Sequence, residues 1–205
     1  MFDSGISADN FINQLMDEID IAVPMPRFVY VDCMNTVEQL LYSEVIREQA
    51  NICVAGRNLS NEAINLSSLP VGENEAPICY EDIHCVFSDE IQLIETNLTS
   101  NSIFLHSYCK ENGKLRINVK EKPQELRITY FVRPVIRTIG ENNVITGGNI
   151  HLPVFFMDLI RAKVRGEIYM LAGEYAHAAN WLGIYNAQLE NFKAYVQVHT
   201  PVFGL

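Results

Sequence analysis

The sequence predicts an α+β fold, an antiparallel helix bundle carrying a small antiparallel β-insertion, and two patterns predict it. The first lies in residues 152–196. Phe156, Ile160, Val164, Ile168 and Ala172 are apolar at i, i+4 spacing, opposed by Asp158, Arg161 and Arg165. Ala178, Leu182, Tyr185, Leu189, Phe192 and Val196 then recur in steps of four and three, opposed by Asn186, Glu190, Lys193 and Gln197. Each set is the stripe of an amphipathic helix, and Gly173 between them supplies the left-handed residue that folds the pair into an αα-hairpin. The second pattern is a change of period in residues 77–134, where short runs rich in β-branched and aromatic residues alternate with polar breaks.

Taken in order, residues 7–19 offer Asp9 as an N-cap followed by Phe11, Ile12, Leu15 and Ile19 at helical spacing. Pro24 and Pro26 end that helix, and the apolar run 28–31 has strand character. Asn35 and Glu38 have the spacing of a capping box, so a helix with Val37, Leu41, Val45 and Ile52 on one face is predicted to reach Gly56. A further helical turn or two is predicted from Ser60, ending at Pro70 and Gly72. Strands are predicted at 83–87, 91–95, 103–109, 114–119 and 126–132. The clearest pairing joins 103–109 to 114–119, because Glu111, Asn112 and Gly113 are hairpin-turn chemistry. Gly147, Gly148 and Asn149 form a flexible linker into Leu152 and Pro153, with proline at the first helical position. The implied organisation is an N-terminal arm (1–34), a first bundle helix with its connection (35–76), the β-insertion (77–134), the helical hairpin (135–196) and a C-terminal tail (197–205).

Composition excludes some function classes. With 48% hydrophobic and 20% charged residues, the chain has apolar material for a sizeable core. Fifteen Lys and Arg against 25 Asp and Glu give a net charge of −10, which argues against gripping nucleic acid by neutralising phosphates. No run reaches the length that crosses a bilayer, and residues 1–10 lack the pattern of a signal peptide. The five cysteines, Cys33, Cys53, Cys79, Cys85 and Cys109, are odd in number and unevenly spaced, so free thiols are expected.

Chemistry-bearing motifs are sparse. Cys79, His84 and Cys85 lie near Glu81 and Asp82, but a structural zinc site needs a second ligand pair and none exists, so buried strand cysteines are expected. No cysteine sits in a nucleophile motif, and Gly147-Gly148 is too short to cradle a phosphate. Phe155, Phe156, Tyr169, Tyr175, Trp181, Tyr185, Phe192 and Tyr195 read as helix-packing core, with Tyr and Trp on the flanks suited to a protein interface. After Val196 the stripe stops, Pro201 blocks continuation, and Val198, Val202, Phe203 and Leu205 are apolar in a segment too short for its own core.

The order of parts carries a resemblance. A hairpin ends in Gly-Lys-Leu-Arg-Ile-Asn-Val (113–119); a strand Leu-Arg-Ile-Thr-Tyr-Phe-Val-Arg-Pro (126–134), a Gly-rich spacer, Leu-Pro (152–153) and two long helices follow. This resembles the head-to-tail adaptor (connector) proteins of tailed bacteriophages, of the tail tubular protein A type. The Asn-rich and Ile-rich composition is similar to that of ring proteins beneath the portal of crAss-like phages. Residues before Asn35, and the stretch 24–32, depart from the compact adaptors.

That resemblance implies a non-enzymatic virion subunit without a cofactor, made in the host cytoplasm and placed at the portal-tail junction. It implies a closed homo-oligomeric ring, dodecameric, through which DNA passes without specific binding, with the portal and tail or further ring proteins as partners and no membrane. Val198, Val202, Phe203 and Leu205 would dock on the portal, with Phe203 as aromatic anchor. A ring needs two different faces of each subunit to meet, and the charged face around Arg161, Arg165 and Glu190 is expected to supply part of that interface. Two other classes remain as alternatives: a cytosolic, non-enzymatic protein-binding module, and a thiol-dependent enzyme.

Overall fold

The computed structural model describes residues 3–56, 63–96 and 105–199. The chain forms two compact units, Met1–Arg47 together with Arg133–Leu205, and Glu48–Val132.

The first unit contains four α-helices among its described residues: α1 (Ala8–Glu18), α2 (Arg27–Leu41), α3 (Met157–Leu171) and α4 (Tyr175–His199). In α1 the predicted face is buried through Phe11, Ile12 and Leu15. Asp9 is not its N-cap; Ser7 holds that position, and the Asp9 carboxylate accepts a bond from the Ile145 backbone N–H at 2.9 Å instead. Residues 28–31 are not a strand but the opening turns of α2, which buries Tyr30, Val31, Met34, Val37 and Leu41. Burying such side chains is worth roughly 1.5–3 kcal/mol each, against helix-propensity penalties of about 0.7 kcal/mol or less, so the apolar stripe outweighs the β-branched bias.

The helix predicted from Asn35 to Gly56 is likewise corrected. Asn35 lies inside α2, which passes into a π-helical turn at Tyr42–Ile46 and stops at Arg47 with φ 48°. The hairpin of α3 and α4 agrees with the sequence reading. Gly173 adopts φ 79°, the Glu174 N–H donates to the Tyr169 carbonyl (2.8 Å) and the Gly173 N–H to that of Met170 (3.1 Å), a Schellman ending. Gly166 marks the close approach of the two helices, since a β-carbon there would stand 2.7 Å from Leu182 Cδ2. A 3₁₀ turn, Val154–Phe156, separates Pro153 from α3. Residues 147–149 are an ordered connection and not a flexible linker. The Ala8 N–H donates to the Gly148 carbonyl, Asn149 pairs with Ser7, and a β-carbon on Gly147 would fall 2.8 Å from Arg137 Cγ.

The second unit overturns the expected fold class. It holds a curled, seven-stranded sheet in the order β1-β7-β3-β4-β5-β6-β2, so the protein is mixed α/β and not a helix bundle with a small β-insertion. The strands are β1 (Gln49–Ala55), β2 (Ile64–Asn65), β3 (Ile83–Ser88), β4 (Ile91–Glu95), β5 (Ser107–Glu111), β6 (Lys114–Asn118) and β7 (Glu125–Phe131). Neighbours are antiparallel except β4 with β5. The hairpin of β5 and β6 turns on Asn112 and Gly113, at φ 51° and 74°, which is the two-residue turn expected of Asn-Gly. The helical turn predicted from Ser60 falls partly outside the described residues; where the chain is described, Ile64–Asn65 is a strand and Leu66–Ser68 a 3₁₀ turn. Ile52, Leu66, Ile83, Val86, Leu115, Leu126 and Ile128 are buried in this unit.

Gly56 ends β1 and does not cap a helix. A β-carbon there would stand 1.9 Å from the Pro123 carbonyl oxygen, while the Gly56 N–H donates to the Gln124 carbonyl at 2.6 Å. Backbone meets backbone, so no side chain can yield. Gly56→Ala is therefore expected to cost about 1–3 kcal/mol, the usual range for overpacking; an unchanged midpoint in urea denaturation would contradict this close approach.

Candidate interaction surface

One exposed apolar feature of the hairpin lies at the end where α3 begins and α4 stops. The 3₁₀ turn after Pro153 sends successive side chains to different sides. Phe156 turns inward, its ring centroid 4.8 Å from that of buried Phe192, whereas Phe155 stays 63% exposed, 5.0 Å from Phe156 and 5.1 Å from Tyr195. Tyr195 in turn stacks on His199 at 4.1 Å. Val154 and Val198, 57% and 78% exposed, belong to the same two segments. Exposed apolar residues grouped in this way mark interaction sites more often than apolar residues scattered singly do.

Of the four residues expected to dock on the portal, Val198 is therefore exposed in the last turn of α4; Val202, Phe203 and Leu205 lie outside the described residues. Of the residues expected at a subunit interface, Arg161 and Arg165 face inward. Both donate to the Glu18 carboxylate, Arg161 at 2.9 Å, and their guanidinium groups cover the rings of Phe11 and Trp181 at 5.5 and 4.4 Å. They clamp α1 to the hairpin, and cation–π contact with two rings adds to the ion pairs. Glu190 is on the outer side of α4, bonded to Lys193 at 2.8 Å.

Three carboxylates in this unit are stabilised in the charged form: Asp3, which accepts from the Gly5 backbone N–H on the surface, and the two that tie elements together, Asp9 and Glu18. The Ile145 backbone N–H, helped by Arg27, holds Asp9 below its ordinary 3.8. Burial works against Glu18, and the two arginines outweigh it, so its value also falls below the ordinary 4.5. Groups with depressed folded-state values contribute stability that is fully present above their unfolded values and is lost as pH falls through the folded ones. Unfolding free energy should thus decline as pH drops below about 4, and Asp9→Asn with Glu18→Gln should flatten that decline; an equally steep acid limb in the double variant would exclude these two groups as its source.

Sequence reasoning missed the most buried polar feature. Glu38 and Arg137 form an ion pair with side-chain exposures of 1% and 0%. Around it, the His151 N–H donates to Glu38 Oε1 at 2.6 Å, Arg137 Nη2 donates to the Asn149 carbonyl, and the Tyr42 hydroxyl donates to the His151 carbonyl at 3.0 Å. Asn35 completes the clasp: its Nδ2 donates to the Arg137 carbonyl at 2.9 Å and its Oδ1 accepts from the Arg137 N–H at 3.1 Å. The pair Asn35/Glu38 thus grips the backbone around 137 and 151 and caps nothing. With Arg137, Glu38 and His151 all at most 2% exposed, the cluster offers a substrate no way in; its chemistry is that of a latch.

All five cysteines are free. Burial, reinforced by Glu167 and Asp32, pushes the Cys33 thiol up to about 11, and burial followed by Glu125 raises that of Cys53. Both are poor nucleophiles at neutral pH. Cys79 sits at the start of a 3₁₀ turn, its N–H donating to Asp82 Oδ2 at 2.8 Å, and the His84 ring packs 5.3 Å from Phe131. Among the described residues no group of three or more His, Cys, Asp or Glu side chains is placed to hold a metal ion, and no helix is long and apolar enough to cross a membrane.

No protein-family model matches the chain, and no curated protein does. The two surfaces of the hairpin that stand out are its apolar end and the outer side of α4. Over 25 residues α4 buries only Ala178, Tyr185, Phe192 and Val196 and carries a single acid-base pair.

Proposed function

We propose that the chain is a structural subunit of a tailed-bacteriophage virion, a ring protein joining portal to tail around the DNA channel. The observation that carries this reading is the apolar end of the hairpin. Val154, Phe155 and Val198 form a surface with an aromatic anchor, and their role is to meet the portal; Tyr195 and His199 border it. Support also comes from the order of hairpin, strand, spacer and helix pair, which resembles the adaptors, and from a net charge of −10. Acidic walls let duplex DNA slide because they offer phosphates nothing to hold.

The near-neutral outer side of α4 suits lateral contact between copies that otherwise repel one another. Mixed with its portal, the protein is expected to form closed ring particles visible by electron microscopy, dodecameric by mass, which leave duplex DNA unretarded in a low-salt gel. Virions whose mass spectrum lacks the subunit, or a protein that stays monomeric beside its portal, would count against the ring and for a monomeric binding module.

A further inference from the structure

We infer that a groove along α2 receives the exposed connection 120–122 of a second copy of this chain. The groove holds about 580 Å³ and is lined by Asp32, Thr36, Gln39 and Leu40 of α2 and by Arg133 and Ile136, all residues of the helical unit. Two amides of α2 fix its floor: Gln39 Nε2 donates to the Pro134 carbonyl at 2.6 Å, and Asn35 holds both backbone groups of Arg137.

The groove's chemistry follows from what those bonds leave over. Leu40 and Ile136 remain 37% and 59% exposed. Asp32 is exposed, and among the described residues no base pairs with its carboxylate. Gln39 lies seven residues further along α2, roughly 10 Å away, where it bonds the residue next to Arg133. The surface therefore has an acid at one end, a base at the other and exposed apolar side chains within it. Gln39 Oε1, turned away from Pro134 by the bond its Nε2 makes, is a buried acceptor without a hydrogen-bond partner among the described residues. What this surface lacks is a donor.

The occupant follows from charge. The chain carries −10, so two copies repel wherever their acids meet, and contact belongs where a basic segment reaches an acid. Bases such as Arg27, Lys110 and Lys163 are held by acids of their own chain. The connection between β6 and β7 instead exposes Lys120, Glu121 and Lys122 in succession. Its far end is anchored, because the Gln124 and Glu125 N–H groups both donate to Asp89 Oδ1 at 3.0 Å, and anchoring lowers the ordering cost of binding. The alternation of charge matches the groove. A lysine ammonium, which only donates, takes Asp32; the Glu121 carboxylate takes Arg133, whose five N–H donors allow it a partner in its own chain as well. Exposed ion pairs are individually weak, so the contact is salt-sensitive and gains from repetition. Groove and connection are different surfaces, which makes the contact heterologous. It stands on these two surfaces; only its closure into a ring rests on the function proposed above.

The test mixes unlabelled and nitrogen-15-labelled full chain, concentrated at low salt with and without the portal, and treats it with a carbodiimide, which condenses a carboxylate with an amine. Mass spectrometry is expected to find mixed-isotope peptides joining Asp32 to Lys120 or Lys122. By sedimentation, Asp32→Lys is expected to weaken self-association at least tenfold, as is Lys120→Glu with Lys122→Glu, and the three changes together to restore it. The combined variant is more acidic than the parent protein, so recovery cannot come from net charge. Linkage confined to one isotope, linkage of Asp32 to the portal alone, no linkage at Asp32, or a combined variant as weak as the separate ones would overturn the inference. Rings without this linkage would sink it and leave the adaptor reading intact; the linkage without rings would do the reverse.

Discussion

Replacing Glu38 by alanine is expected to remove about 3–5 kcal/mol of stability, the usual cost of stripping one partner from a buried ion pair. The Arg137 guanidinium would remain fully buried with the Asn149 carbonyl as its remaining acceptor, and the His151 N–H would lose its acceptor as well. Since domains hold only about 5–15 kcal/mol in total, one substitution should take a large share of it. The mechanism is the uncompensated charge, so Glu38→Leu combined with Arg137→Met is expected to recover much of the loss, because no ion is then left in the core. Urea denaturation of the two variants checks this. A loss below about 1 kcal/mol for the alanine variant would mean that the pair behaves like a surface bridge.

Phe155→Ser together with Val198→Ser is expected to abolish co-purification with the portal while leaving the melting curve nearly in place. Anchor residues of an interface contribute at least about 2 kcal/mol each, so losing two weakens binding on the order of a thousandfold. Both side chains are mostly exposed, and the inward-facing Phe156 and Phe192 that hold this end together are untouched. Portal capture that survives the double change would remove the hairpin end from the proposed contact.

The helical hairpin was legible because everything that specifies it is local: an i, i+4 stripe in α3, a stripe in steps of four and three in α4, and a left-handed Gly173 two residues past Leu171. The β5–β6 hairpin was legible for the same reason, through Asn112-Gly113, and the strand runs 83–87, 91–95 and 126–132 kept their period. Where the reading failed, the deciding partner is remote. Asn35 and Glu38 have capping-box spacing, but the groups they bind lie 99 to 113 residues away. Ile52 continues a helical stripe from Val45 on paper, yet it pairs with Ile128 across the sheet, and no short-range signal distinguishes those outcomes. The short β2, two residues long and paired with β6, left no pattern at all, so the extent of the sheet was hidden. Arg161 and Arg165 read as an outer charged face, because their capture by Glu18 depends on how α1 packs, which spacing does not encode.

The hydrogen bond from the Val132 N–H to the Glu48 carbonyl, 2.8 Å long, also bears on how such a gene can change. The chain enters and leaves its β unit through two residues that sit side by side, with α-carbons on the order of 5.5 Å apart, the spacing of a bonded antiparallel pair. A foreign cassette whose own ends lie together could therefore be exchanged at the same point. An exchange at these two positions would replace the β unit as a whole and leave in place the clasp of Glu38 and Arg137, both of which belong to the helical unit.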